Sequence, residues 1–115
     1  MYDVGDLESA KKFASVTPDD TGKLIYLEEK SPSPKSSLIG IALYYYPKEA
    51  LKYIHRYIAE GNNKDQPGRL VEWLYKKTPV YTWRLPGVWY DIGTKETLNE
   101  AEVYFSRLAE IKEIP

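Results

Sequence analysis

The sequence predicts an α/β fold, and three observations carry that prediction. Short apolar runs rich in β-branched and aromatic residues, suited to strands, alternate with segments whose apolar residues recur every three or four positions, as on one face of a helix. Clusters of Pro, Gly, Asn, Asp and Ser separate the two kinds of segment. With 115 residues, 43% hydrophobic and 29% charged, the chain has the length and composition of a single globular domain over residues 1–115.

The elements follow in order. "MYDV" at the start can form a strand. Asp6 is placed to cap a short helix from Leu7 to about Phe13, with Glu8 in its first turn. "TPDDTG" (Thr17–Gly22) is turn chemistry, and "KLIYLEEK" after it reads as a strand ending in charge. "SPSPKSS" is a loop, because its prolines block both helix and central strand. "LIGIALYYY" (Leu38–Tyr46) is a near-continuous apolar run, as expected of a strand buried on both faces. Gly40 and Ala42, two apart, would then share a face bare of large side chains.

Pro47 suits the first position of a helix whose apolar stripe is Ala50, Leu51, Ile54, Tyr57 and Ile58, and Gly61 ends it. "NNKDQPG" is a loop. Leu70, Val71, Leu74 and Tyr75 form the stripe of the next helix, ending near Lys77. "PVYTWRL" alternates as a half-buried strand does, and Pro86-Gly87 turns the chain into "VWYDI". Leu98, Ala101, Phe105, Leu108 and Ile111 mark a last helix from about Lys95 to Ile111. Only three or four strands are visible, few for a run as apolar as Leu38–Tyr46.

Composition excludes several functions. There is no cysteine, so disulfides, thiolate catalysis and Cys-based zinc sites are out. The only histidine, His55, sits within a predicted helix and cannot make a His-rich metal site alone. A net charge of −1, with scattered basic residues, provides no footprint for nucleic acid or a membrane surface. No apolar run of membrane-spanning length and no basic-then-apolar leader is seen, so the expectation is a cytoplasmic protein. Plentiful Lys and Glu with a single Gln lean toward a thermophilic source.

Four stretches together are familiar. "GKLIYLEEK", "SPKSSLIGIALYYYPKEAL", "DQPGRLVEWLYKKTPV" and "VYTWRLPGVWYDIGTKETLNEA", in this order, resemble the C-terminal part of the sugar-1-phosphate nucleotidyltransferases, especially the glucose-1-phosphate thymidylyltransferase type. The resemblance runs from about Tyr2 to Ala101. It implies a partial Rossmann-like nucleotidyltransferase fold, the sugar-binding C-terminal half, with a mixed sheet flanked by helices. It implies an activity joining an NTP to a sugar 1-phosphate with release of pyrophosphate, and Mg2+ as cofactor. The family's glycine-rich nucleotide loop has no counterpart. The glycines at 5, 22, 40, 61, 68, 87 and 93 include no G-x-G pair, so the nucleotide-binding half is expected to be missing.

The resemblance also implies roles. Glu29 would hold sugar hydroxyls and Lys30 would meet the sugar phosphate; Ile41, Ala42 and Ala14 would line the sugar pocket. Asp91, in "DIGT", would bind magnesium beside the phosphate, with its partner acid outside this chain. No residue is assigned a catalytic role. Ala14 and Ala42 stand where the family commonly has Gly, and Thr17-Pro18 interrupts a strand segment. Read locally, "EEK" is also an ordinary solvated strand end, and Asp91 an acid in a strand-to-helix turn where Gly93 bends the chain and Thr94 caps the helix.

The expected partners are a sugar 1-phosphate and either an N-terminal-half protein or a second copy of the chain. The expected state is an enzyme part inactive alone. The alternative is a non-catalytic binding or assembly module, or a truncated reading frame, that self-associates through its apolar surface.

Overall fold

The computed structural model describes residues 1–112 and divides into two compact units, Met1–Leu85 and the segment from Pro86 onward. The first unit holds strands β1 (Tyr2–Asp3), β2 (Ala14–Pro18), β3 (Leu24–Glu29) and β4 (Leu38–Gly40), with helices α1 (Leu7–Ala10), α2 (Leu51–Ala59) and α3 (Pro67–Leu74). The strands form one sheet in the order β1-β4-β2-β3. Each of its three pairings is antiparallel. The α/β class and the partial Rossmann-like character are as expected, while the sheet is antiparallel among the described strands where a mixed sheet is expected.

Local chemistry explains most element ends. Asp6 caps α1 by accepting the Ser9 N–H at 2.8 Å, but α1 stops at Ala10 rather than near Phe13, because β2 begins at Ala14. Asp19 closes the turn before β3: one carboxylate oxygen takes the Thr21 N–H at 2.8 Å, the Thr21 hydroxyl at 2.7 Å and the Lys23 N–H at 3.0 Å. Those bonds hold the Asp19 carboxyl below its usual range. Pro18 does end β2 irregularly, with a shift of register between Thr17 and Pro18.

The run Leu38–Tyr46 is where expectation and structure part. Only Leu38–Gly40 is strand, and Leu43 and Tyr45 are more than half exposed. Ala42 has φ 57°, a left-handed backbone that cannot continue a strand. Gly40 and Ala42 therefore share no sheet face. Alanine pays for that φ with a Cβ clash that glycine lacks. Ala42→Gly is expected to raise stability by about 1 kcal/mol, measured by urea unfolding. An unchanged or lower midpoint would show the turn to be unstrained.

"PVYTWRL" is extended but forms no strand. It makes one isolated bridge, Lys23 to Tyr81, and bonds from Leu24 N–H to Val80 O (2.7 Å) and Thr82 N–H to Gly22 O (2.7 Å). Pro47 precedes a single 3₁₀ turn, Lys48–Ala50, instead of opening α2 directly. α3 starts at Pro67, inside the stretch expected to be loop, because proline suits the first helical position, and it ends at Leu74, three residues before the expected end.

Ala14, Val16, Leu24, Leu27 and Val71 form the core, where α3 lies on one face of β2 and β3. An aromatic seam joins α2 to α3: Tyr57 and Trp73 meet edge-on with centroids 5.5 Å apart, and Trp73 Nε1 donates to Glu60 at 3.1 Å.

The second unit is α4 (Lys95–Lys112) and the segment before it. Thr94 and Thr97 cap α4 reciprocally, each backbone N–H donating to the other's hydroxyl at 3.1 Å. "VWYDI" forms no strand. Of the predicted stripe only Ala101 is buried; Leu98, Phe105, Leu108 and Ile111 are exposed. Tyr90 packs within the unit against Tyr104 and Phe105, at 5.9 and 6.0 Å between centroids. No described helix is long and apolar enough to cross a membrane.

Candidate functional site

Strand register builds the floor of the site. Ala14 pairs with Gly40 on one side and with Glu29 on the other, so Gly40, Ala14 and Glu29 form a row across β4, β2 and β3. The row carries no side chain, then a methyl, then a carboxylate. A Cβ built on Gly40 would sit 3.6 Å from the Ala14 methyl, an ordinary contact; Ala14 is buried beneath α3, and Gly40 beside it is partly open. This row, rather than Gly40 with Ala42, is where the sheet carries small residues side by side.

"EEK" offers two acids, and the pleat separates them. Glu28 is occupied: Tyr26 and Ser31 donate to its carboxylate and hold it below the usual range, with Lys35 and Arg69 adding to the effect. Glu29 points to the α3 side and its carboxylate accepts no hydrogen bond among the described residues. It lies against Gly68 in the first turn of α3, where a Cβ would fall 1.8 Å from Glu29 Oε2. Gly68 is needed for that close approach rather than for an unusual φ.

Gly68→Ala is accordingly expected to swing the Glu29 carboxylate away while changing stability by less than about 1 kcal/mol, because alanine also favours the helix. Thermal unfolding and ligand titration on one sample check both halves. A large loss of stability would mean that the carboxylate cannot move.

Lys30 follows with φ 51°, another left-handed non-glycine residue, held by a bond from its N–H to Phe13 O at 3.0 Å. Its side chain is exposed, free to reach an anion beyond the sheet end.

Tyr44 lies near this row. Burial first, then Tyr46 and the Glu29 carboxylate, push its phenol up to about 12. The sign follows: between pH 10 and about 12 the unfolded chain loses this proton and the folded chain keeps it, so stability falls as pH rises through that window. Tyr44→Phe is expected to flatten part of that alkaline slope. An identical slope in the variant would assign it to other tyrosines.

The sequence-derived site residues fall in different places. Ala14 and Glu29 meet in the cross-strand row, and Lys30 adjoins it. Ile41 is half-buried and borders an apolar cleft of about 570 Å³ in the first unit, lined also by Gly40, Leu43, Tyr44, Val71 and Tyr81. Ala42 is exposed and is not part of that lining. Asp91 belongs to the second unit, exposed, with its backbone carbonyl accepting the Gly93 N–H at 3.1 Å and its carboxylate unengaged among the described residues.

No group of three or more His, Asp or Glu among the described residues could hold a metal. One free carboxylate fits magnesium only as a single protein ligand, with phosphate oxygens and water completing the octahedron. Sequence reasoning missed Gly68, Arg69 and Glu72. The available signal was "PGR" at a helix start followed by Glu at i+3 from Arg69.

Comparison with known proteins bears on this geometry. The profile of the nucleotidyl transferase family matches residues 1–106. The chain is 28% identical over 101 residues to the bifunctional protein GlmU of Methanocaldococcus jannaschii, covering 88% of this chain and 25% of that protein. It is 30% identical over 106 residues to a glucose-1-phosphate adenylyltransferase of Thermotoga neapolitana, covering 84% of this chain and 24% of that protein. It is 30% identical over 100 residues to the glucose-1-phosphate adenylyltransferase of Clostridium acetobutylicum, covering 84% and 26%. The chain thus spans about a quarter of the length of these relatives.

Proposed function

The chain belongs to the nucleotidyl transferase family, and from that premise we propose that it supplies the sugar-1-phosphate-binding part of an enzyme that joins a nucleoside triphosphate to a sugar 1-phosphate. The observation that carries this reading is the Gly40–Ala14–Glu29 row with Lys30 beside it. A sugar beside the partly open Gly40 meets no side chain there, and the buried Ala14 methyl keeps the adjoining position small. Its hydroxyls can donate to the unengaged Glu29 carboxylate, a charge-assisted bond. The Lys30 ammonium, exposed and on a flexible stem, suits the phosphate. Ile41 would border the pocket from the cleft side.

In the reaction, a phosphate oxygen of the sugar 1-phosphate forms a bond to the nucleotide α-phosphorus, and pyrophosphate leaves with the electron pair of the broken bond. The contribution of this chain is to orient the attacking group and offset its charge. Asp91 would give one carboxylate to Mg2+, which when bound neutralises phosphate charge. Binding of glucose 1-phosphate by calorimetry tests the reading, and failure to bind would end it. The purified chain alone, offered ATP or dTTP with glucose 1-phosphate, is expected to release no pyrophosphate, because none of its glycines forms a phosphate-cradling loop. Turnover would refute that part. Using both nucleotides tests the thymidylyl type that the sequence resembles beside the adenylyl transfer for which two relatives are named.

A second reading rests on exposed Leu43, Tyr45, Tyr81 and Trp83 around the apolar cleft, which favour an assembly role with a second copy or a partner chain. Light scattering discriminates, since a clean monomer counts against self-association.

A further inference from the structure

Glu29 serves a ligand only if its carboxylate stays where the fold aims it, and the aim is set from α3. β3 is an edge strand of the sheet, and its outer side is partnered at its start, where the Leu24 N–H donates to Val80 O. The N–H of Lys30 turns inward to Phe13 O, leaving that of Glu29 pointing out. Glu72 Oε2 accepts it at 3.4 Å and takes the Arg69 guanidinium at 3.1 Å. Arg69 Nε in turn donates to the Gln66 side chain at 3.2 Å, so the chain Gln66–Arg69–Glu72 runs along α3 to the last residue of β3. Arg69 also offsets a second negative charge close to Glu29, which would otherwise repel it. The Arg69 side chain is 40% exposed and that of Glu72 23%, so water screens the pair in part.

We propose that Glu72, held by Arg69, is a positioning residue for the sugar site: it anchors the end of β3 just before the left-handed Lys30, and so fixes the direction of the Glu29 carboxylate. The inference rests on the sugar-site reading above.

The test is titration of the full chain with glucose 1-phosphate and with inorganic phosphate, for wild type, Glu72→Met, Glu72→Gln and Glu29→Gln, each with its thermal midpoint. Loss of one anchoring hydrogen bond predicts about fivefold weaker glucose 1-phosphate binding for Glu72→Met. Glu72→Gln can still accept the Glu29 N–H and is expected to restore most of the affinity. Inorganic phosphate has no sugar hydroxyls for Glu29 to hold, so its binding is expected to change less than that of the sugar phosphate. A merely structural role would weaken both ligands alike and lower the midpoint in step. Should Glu72→Met not fold, Arg69→Met, which leaves Glu72 in place but releases its aim, carries the same expectation.

Wild-type affinity in Glu72→Met, or equal loss of both ligands, overturns the positioning role. If Glu29→Gln weakens binding in the same series, the sugar-site reading survives that failure. Wild-type affinity in Glu29→Gln, or no binding by the wild type, overturns the site reading and the inference with it.

Discussion

Glu29→Ala is expected to weaken glucose 1-phosphate binding by about tenfold to a hundredfold while leaving the fold intact. The magnitude comes from charge-assisted hydrogen bonds, each contributing about 1.5–3 kcal/mol. The prediction is specific to Glu29 because Glu28, its neighbour in sequence, is already bonded to Tyr26 and Ser31 on the other side of the pleat. Glu28→Ala should therefore disturb the surface of β3 and leave sugar affinity nearly unchanged. Truncating Glu29 removes no hydrogen bond to its carboxylate among the described residues, so its structural cost should be small. Calorimetric titration of both variants decides. Equal effects at the two positions would mean that the strand end acts only as a diffuse negative surface.

The largest stability effect is expected at Leu27. It is 4% exposed and sits in the core cluster with Ala14, Val16, Leu24 and Val71. Leu27→Ala should destabilise the first unit by about 3 kcal/mol, from lost transfer free energy and the cavity left behind. Leu27 and Glu29 lie on the same face of β3, so the same substitution loosens the packing of α3 that seats Glu29 against Gly68. Chemical denaturation with tyrosine and tryptophan fluorescence measures the loss. A change below about 1 kcal/mol would mean that the core collapses around the deletion or that Leu27 is less confined than its burial indicates. The solvent-facing Ile25, 56% exposed on the same strand, is the control, with an expected effect near zero.

The sequence by itself determined whatever depends on short-range chemistry. Asp6 as a cap, the Asp19 turn and the Thr94 cap of α4 each follow from one side chain and the few backbone groups beside it. "KLIYLEEK" is a strand nearly to the residue, since its pattern and its flanking turns agree. The ordered motifs carried the family, which the match over residues 1–106 bears out at the level of nucleotidyl transferases.

Only the tertiary structure decided what depends on partners far along the chain. Leu38–Tyr46 has the composition of a long strand, but strand length is set by paired neighbours. β1 supplies two residues, and the left-handed Ala42 ends the run. Glu29 and Gly68 stand 39 residues apart, Glu29 and Glu72 stand 43 apart, and nothing local announces that a helix start will seat that carboxylate. The bare row of Gly40 and Ala14 exists because register sets them opposite each other across two strands. Period and capping are properties of neighbours in sequence, while a binding surface is a property of neighbours in space, created when the sheet aligns its strands.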